Sequence, residues 1–420
     1  MAGGPDAARD RLVDELREGG RLSDPAVEAA FRSVPRHLFL PGLSASEAYQ
    51  DEAFVIKTDA GGMPLSSSSQ PAIMAIMLEQ LGVAAGQRVL EIGTGTGYNA
   101  ALMARLVGER GTIVTVDIDD ALVARARENL AAAGYPGVIV LAGDGGFGAP
   151  QHAPYDRVIV TAGAWDLAPA WFAQLAPGGR IVVPLSLRGV QLCVALERRD
   201  GHWRSRSACR CGFIRMAGSF ASPEPFVALG PQPGLHVQAD DGGTLDVDAL
   251  RRALFGAVTD VPAGVRVAGL GELGDADFWL TITGTDLVRL TITGAGQLLR
   301  AGVTPLLPFG ALAGSPRAHQ PDWAGDFGVA ALIPSRPPPP PGGERRHAGP
   351  GVVVRGFGPA GGELARRLAG RVRAWAERGR PPASGLRVAV YPSEVPVPDQ
   401  PGQVILERRH ARLVLSWPAA

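Results

Sequence analysis

The chain has 420 residues, enough for two or three domains, and 46% of them are hydrophobic, enough to bury real cores. Forty-one basic residues balance 41 acidic ones, so nothing in the charge argues for a nucleic-acid or anionic-membrane partner. Three cysteines without a second Cys or His pair at zinc spacing, no apolar run of membrane length and no signal peptide leave a metal-free cytoplasmic enzyme as the expectation.

Residues 1–8 read as a frayed tail. Asp10 to Arg17 places Leu12, Val13 and Leu16 at helical spacing, and Gly19-Gly20 stops that helix. Asp24 fits the N-cap of a second helix, with Pro25 in its first turn and Val27, Ala30, Phe31 and Val34 as its apolar face. Pro35 breaks it. His37 reads as a hydrogen-bonded structural residue, and no proton-transfer role is assigned to it. The run Ser66-Ser67-Ser68-Ser69-Gln70-Pro71 precedes a helix from Ala72 to Leu81. Taken alone, that run is a helix N-cap with flexible flanks.

The next stretch organises the chain. Val89, Leu90 and Ile92 form a buried strand that runs into Gly93-Thr94-Gly95-Thr96-Gly97 and then a helix. Glycines let a backbone turn sharply and approach a ligand closely. Such a turn lies at the carboxyl edge of a parallel sheet, where open α/β sheets bind ligands. Two ligands fit it: a dinucleotide, or S-adenosylmethionine. The spacing is G-x-G-x-G, not the dinucleotide G-x-G-x-x-G. Glu91, two places before the first glycine, suits a ligand carrying an α-ammonium and a sulfonium and would repel a pyrophosphate. Thr112 to Asp117 is a second strand, and Asp117 stands where a carboxylate takes both ribose hydroxyls. Gly143-Asp144-Gly145 follows the apolar run Val138 to Leu141, and Asp144 there could accept from an adenine amino group, with Gly145 beside it. Tyr155 to Thr161 is a further buried strand. Pro177-Gly178-Gly179 turns into another, Arg180 to Pro184.

This order of glycine turn, acid at a strand end, Gly-Asp-Gly, strand and Pro-Gly-Gly turn resembles class I methyltransferases. The resemblance implies a doubly wound, Rossmann-like α/β sheet with helices on both faces. It also implies S-adenosylmethionine as cofactor, held by Glu91, Gly93, Thr94, Gly95, Gly97, Asp117, Asp144 and Gly145. A narrower resemblance rests on Val34-Pro35-Arg36-His37-Leu38-Phe39-Leu40-Pro41, Ala48-Tyr49-x-Asp51 and Ser69-Gln70-Pro71. Together with the adenosylmethionine motifs, as far as Cys211-Gly212-Phe213-Ile214-Arg215, these resemble protein-L-isoaspartate O-methyltransferases over roughly residues 9–220. That family has a Thr-Ile-Ser-Gln-Pro segment whose hydroxyl residues meet the substrate carboxylate. Ser67, Ser68 and Ser69 fall on Thr-Ile-Ser, and the resemblance makes Ser69 the first candidate to hold the carboxylate.

The approach to that segment departs from the family. Lys57 to Ser66 stands where the family has Pro-Ile-Gly-x-Gly-Gln, and Ser68 replaces isoleucine. A variant of the family modifies aspartate in cyclised, ribosomally made peptides of actinobacteria and carries an added C-terminal region. The serine run and the length resemble that variant. The expected substrate is therefore a polypeptide, with a cyclised ribosomal precursor favoured and protein repair as the alternative. A nicotinamide oxidoreductase would need a Tyr-x-x-x-Lys or similar pair, and Lys57, the sole lysine, lies upstream of the turn. A non-catalytic peptide-binding module predicts loss of the cofactor motif, which is intact. A small-molecule methyltransferase leaves the Pro-Arg-His and Ser-Gln-Pro segments unexplained.

The expected division is a helical segment with the substrate loop (1–70), the cofactor-binding core (71–220) and a C-terminal α+β extension (221–420). In the extension, Asp246 to Ala257 and Glu363 to Arg378 read as helices. Phe278 to Thr283, Val288 to Ile292, Leu386 to Tyr391 and Ala411 to Trp417 read as strands. Residues 334–350 read as a proline-rich linker or exposed loop.

Overall fold

The computed structural model describes residues 4–60, 62–223, 226–228, 236–239, 246–284, 287–293, 311–314, 328–335, 349–397 and 400–418. Helix α1 (Pro5–Glu18) begins inside the expected tail, because Ala8 is buried with Leu12, Val13 and Leu16 and extends the apolar stripe by a turn. Helix α2 (Pro25–Ser33) starts as expected: the Asp24 carboxylate accepts from the N–H groups of Ala26 and Val27. Short helix α3 (Ala45–Ala48) is closed by a capping box between Ser44 and Glu47. Strands β1 (Phe54–Thr58) and β2 (Pro64–Ser68) form an antiparallel pair, with Phe54 opposite Ser68 and Val55 opposite Ser67. The serine run is thus mostly strand. Ser69 and Gln70 lead into helix α4 (Pro71–Leu81), and Gln70, the N-cap, makes no side-chain cap bond.

The central sheet starts with β3 (Arg88–Ile92), α5 (Tyr98–Val107), β4 (Thr112–Asp117), α6 (Asp120–Ala132), β5 (Ile139–Ala142), β6 (Tyr155–Val160) and α7 (Pro169–Ala173). It continues through β7 (Leu175–Leu187), β8 (Val190–Arg199) and β9 (His202–Cys211). Strand β3 pairs in parallel with β4 on one side and β6 on the other. The chain first winds outward to β5, then crosses back to β6 and β7. That reversal opens a crevice at the carboxyl ends of β3 and β6, where the glycine turn lies. Leu12, Phe31, Met77, Leu78, Val89 and Leu102 join one apolar core under it. Full burial of such side chains contributes about 1.5–3 kcal/mol each.

Beyond β9 the chain enters a second unit. Strands β10 (Phe226–Ala228), β11 (His236–Ala239), β12 (Val258–Arg266), β13 (Val288–Thr293), β14 (Ala311–Gly314), β15 (Gly328–Ser335) and β16 (Gly351–Phe357) form one sheet, in the order β10-β11-β13-β14-β15-β16-β12. Each of these pairings is antiparallel. Helices α8 (Val247–Leu254), α9 (Leu270–Thr283) and α10 (Gly361–Glu377) complete an α+β unit. Leu364, Leu368, Val372 and Trp375 of α10 are buried, as their helical spacing predicts. Residues 278–283 correct the sequence reading: they end α9 and are not a strand. This helix buries Phe278, Trp279, Leu280, Thr281 and Ile282 in succession, so no polar face reveals its 3.6 period. Its threonines are satisfied within the helix, Thr281 Oγ1 donating to the Asp277 carbonyl and Thr283 Oγ1 to that of Trp279. Of the expected linker, residues 336–348 lie outside the described residues, while Pro334 and Ser335 end β15.

The chain then returns to the first sheet. Strands β17 (Arg387–Pro392), β18 (Gln403–Glu407) and β19 (Ala411–Ser416) complete ten strands in the order β18-β19-β17-β9-β8-β7-β6-β3-β4-β5. Val390 of β17 pairs with Trp203 of β9. The compact units are 1–186 with 191–222 and 387–415, and 187–190 with 223–386 and 416–420. This differs from the linear division at 220, because apolar alternation marks a strand without saying which sheet edge takes it. Among the described residues no helix is long and apolar enough to cross a membrane.

Candidate active site

The turn after β3 is built on backbone that only glycine adopts readily. Gly93, Gly95 and Gly97 have φ of 100°, 52° and 87°. A Cβ on Gly93 would lie 2.5 Å from Thr161 Oγ1, whose hydroxyl sits 2.6 Å from the Gly93 carbonyl and 2.9 Å from that of Ile92. The carboxylate of Asp117, at the end of β4, accepts from the Gly95 N–H at 3.0 Å and the Asp119 N–H at 3.1 Å. The acid at one strand end therefore holds the glycine turn at the next. The Asn129 amide donates to the Thr96 carbonyl and secures the other side.

Glu91 is fully buried beneath the turn. It accepts from Asn99 Nδ2 and from Thr115 Oγ1, each at 2.7 Å, and Thr115 is 2.7 Å from Thr94 Oγ1. Burial raises its pKa to about 7, against the opposing effect of the Thr115 and Asn99 hydrogen bonds, with nearby Asp117 adding to the rise. A cation bound beside it favours the ionised form.

The facing wall is the serine run. Ser67, Ser68 and Ser69 all line the cavity, and Ser68 is buried. Their placement comes from a residue the sequence reading left without a role. Arg36 is wholly buried; its guanidinium donates twice to the Ser69 carbonyl, at 3.2 Å each, and once to the Glu52 carbonyl at 3.2 Å. The Tyr98 and Phe54 rings flank it, 5.4 and 5.8 Å from Cζ. Burial pulls its pKa down from the ordinary arginine value, while the field of Tyr98 opposes that. Asp51 bonds the Gln70 amide and the Ala72 N–H just beyond Ser69, fixing the same end of the run. Lys57 on β1 is ion-paired with Asp119, tying the hairpin to the end of β4. His37 donates to or accepts from the Tyr49 hydroxyl at 3.0 Å, the structural role expected of it.

Between these walls lies a cavity of about 240 Å³, lined by Glu91, Gly93, Thr94, Gly95, Asp117 and Gly145 on the side of the glycine turn. The segment Phe213 to Ala217 after β9 closes it. Gly97 caps α5 behind the turn, with its Cβ position against Leu130, and does not line the cavity. Asp144 is also placed differently from expectation. One of its oxygens accepts from the Gly146 N–H at 2.8 Å and the other from the Ser219 N–H at 2.7 Å, so the carboxylate organises its own turn while Gly145 faces the cavity. Burial pushes its pKa up, but those two backbone bonds together with the Ser219 hydroxyl outweigh it and hold the group below the usual aspartate value.

A family model described as protein-L-isoaspartate(D-aspartate) O-methyltransferase matches residues 7–220. The chain belongs to this family. A Methanoregula boonei protein named protein-L-isoaspartate O-methyltransferase is 41% identical over 212 residues, which is 50% of this chain and 94% of that protein. One of the same name from Methanopyrus kandleri is 40% identical over 220 residues, 52% of this chain and 95% of its own. A solved protein-L-isoaspartate O-methyltransferase matches 91% of this chain and 96% of its own length, at 24% identity and a TM-score of 0.49.

The enzyme is thus an S-adenosylmethionine-dependent methyltransferase, with S-adenosylhomocysteine as product. The cavity suits that ligand. Its cofactor side carries Glu91 and Asp117, and Lys57 there is already paired with Asp119, a charge balance that favours a sulfonium and an ammonium over a pyrophosphate. Sequence reasoning missed Arg36, Thr161 and the β1–β2 hairpin. The Pro35-Arg36-His37 string flagged Arg36 only as part of a resemblance, because its partners, Glu52, Phe54, Ser69 and Tyr98, all lie well beyond its local stretch.

Proposed function

We propose that this enzyme methylates the carboxylate of isoaspartyl residues in polypeptides, with Ser69 holding the acceptor carboxylate in line with the methyl group. The observation that carries the reading is the serine wall facing the glycine turn across one cavity, with Arg36 pinning the Ser69 carbonyl from behind. The names of these relatives support the isoaspartyl acceptor. Glu91, Gly93, Thr94 and Gly95 would frame the methionine part of the cofactor, Asp117 its ribose and Gly145 its adenine. Gly97 and Asp144 would act from behind, as the cap of α5 and as the brace of the Gly145 turn.

Adenosylmethionine supplies an electrophilic methyl group. The acceptor is an aspartate-derived carboxylate, ionised at neutral pH, so no strong general base is required. The chain's task is orientation and exclusion of water, which contribute about 7–11 kcal/mol to two-body steps of this kind. A serine hydroxyl donates to one carboxylate oxygen without neutralising it, leaving the other free to attack. A carbon–oxygen bond forms as the sulfur–methyl bond breaks. The ester then loses methanol to the next backbone nitrogen, closing a succinimide that water opens to aspartate or isoaspartate.

A second reading, an aspartate in a cyclised ribosomal precursor, is favoured by one observation: Ser68 puts a hydroxyl where the resemblance expects isoleucine, and it lines the cavity. Mass spectrometry separates the two. Enzyme and adenosylmethionine are incubated with a linear isoaspartyl peptide and with a cyclised, aspartate-containing precursor, and a gain of one methyl followed by loss of methanol is scored. Methylation of the isoaspartyl peptide supports the proposal. Methylation of the ordinary aspartate alone transfers the enzyme to the second reading, and methylation of neither overturns both.

A further inference from the structure

The family match ends at residue 220, yet the unit it defines is closed by side chains nearly two hundred residues later. The turn between β18 and β19, Arg408 to His410, reaches three segments of the methyltransferase unit. Arg408 stacks over Trp165 at 4.7 Å and reaches the Ser186 carbonyl at 3.4 Å. Arg409 reaches the Ser219 carbonyl at 3.5 Å. His410 makes the strongest contact: its backbone N–H and ring Nδ1 both meet Asp166 Oδ2, at 3.0 and 2.8 Å. Asp166 is only 3% exposed, and its other oxygen accepts from the Leu167 N–H.

The same imidazole lies 5.1 Å from the Phe220 ring. Phe220 in turn meets Phe147 edge-on at 6.5 Å and Trp171 at 6.4 Å. A Cβ at Gly146 would overlap the Phe220 ring, so that ring lies directly on the backbone of the turn. Trp171 Nε1 donates to the Gly145 carbonyl at 2.8 Å, and the Ser219 N–H donates to Asp144. Gly145 lines the cavity; Phe220, Trp171 and Asp144 support it from behind.

We propose that His410, held by Asp166, is a positioning residue for the cofactor pocket: it presses Phe220 onto the Asp144–Phe147 turn and so fixes Gly145 at the pocket wall. The inference deepens the cofactor assignment and rests on it. The physical reason is that a glycine-rich turn has no side chains of its own to lock its shape, so its geometry is set by what packs against its outer face. The C-terminal strands supply that packing in this chain.

The test uses the full chain and reads cofactor binding separately from turnover. Titration calorimetry with S-adenosylhomocysteine gives Kd, and an isoaspartyl peptide at saturating adenosylmethionine gives kcat. His410→Ala should weaken Kd about tenfold, with kcat changed less than twofold. His410→Asn keeps a donor near the Nδ1 position but loses the ring, and should fall between. Phe220→Leu should weaken Kd similarly, and the double variant should be no worse than the poorer single one. Arg412→Ala, which removes an exposed ion pair to Glu407 on the same strand pair, should leave Kd unchanged. The proposal is overturned if His410→Ala binds as wild type does, if its effect adds fully to that of Phe220→Leu, or if Arg412→Ala weakens binding equally. Wild-type protein that fails to bind S-adenosylhomocysteine overturns the cofactor assignment together with this inference. Wild-type binding without methylation of the peptide overturns only the isoaspartyl acceptor.

Discussion

The two walls of the cavity are built by opposite means. The glycine turn carries its own instructions: three glycines at positive φ, an acid at the adjacent strand end and a helix start, all within a short span. The serine wall carries almost none. Ser67, Ser68 and Ser69 are poor strand formers whose position is imposed by β1, by the buried Arg36 and by the Lys57–Asp119 pair. The lesson is that the turn after β3 is specified by backbone conformation in its own short stretch, whereas the serine wall is assembled from distant parts.

Substitutions can break that contrast, and the largest effect belongs on the glycine wall. Gly93→Val forces a β-branched residue to φ of 100° and drives its Cβ into Thr161. Strain and clash of about 4 kcal/mol together predict a loss of cofactor affinity on the order of a thousandfold, read by calorimetry. Binding within tenfold of wild type would mean that the turn tolerates reshaping and the contrast is false.

Glu91 tests the electrostatics beneath the same wall. Its carboxyl titrates near 7 in the cofactor-free fold and near 4.5 in the unfolded chain. Above pH 4.5 the unfolded chain holds fewer protons at this group, so the buried acid destabilises the fold progressively as pH rises to 7. The cost levels off at roughly 3 kcal/mol above that. Glu91→Gln should therefore raise Tm at pH 8 and leave it nearly unchanged at pH 4.5, while weakening adenosylmethionine binding. Equal shifts at both pH values would show that titration of Glu91 is not the cause.

On the serine wall, Arg36→Met keeps the volume but frees the Ser69 carbonyl. A displaced Ser69 should lower kcat ten- to hundredfold, about 1.4–2.7 kcal/mol, with cofactor Kd unchanged. A rise in Kd as large as the fall in kcat would show that the two walls are not independent. The smallest effect is expected for Lys57→Met. Both partners of its ion pair are partly exposed, so solvent screening leaves about 0.5 kcal/mol. Peptide KM should rise two- to threefold, and a change beyond tenfold would make Lys57 a substrate contact in its own right.

The legible parts of the fold are those with short-range causes. Asp24 before Pro25, the apolar β3 with its glycines, and the helical spacing in α10 each announce themselves within a dozen residues. Asp144 shows the limit. Its Gly-Asp-Gly setting was visible, but the Ser219 N–H that turns the carboxylate away from the cavity wall lies 75 residues on. Helix α9 failed for a different reason, since a helix buried all round has no amphipathic signal.

By itself the sequence determined the glycine turn, the acid at the end of the next strand, the class of sheet around them and the family of the chain. These depend on backbone conformation and on neighbours along the strand–turn–helix path. Only the tertiary structure decided that the serine run is a strand edge, that Arg36 lies behind it, and that β17–β19 return to the first sheet. Each of those rests on contacts between residues far apart in the chain. Burial and pairing at such distances follow from how the elements pack, which no local pattern encodes.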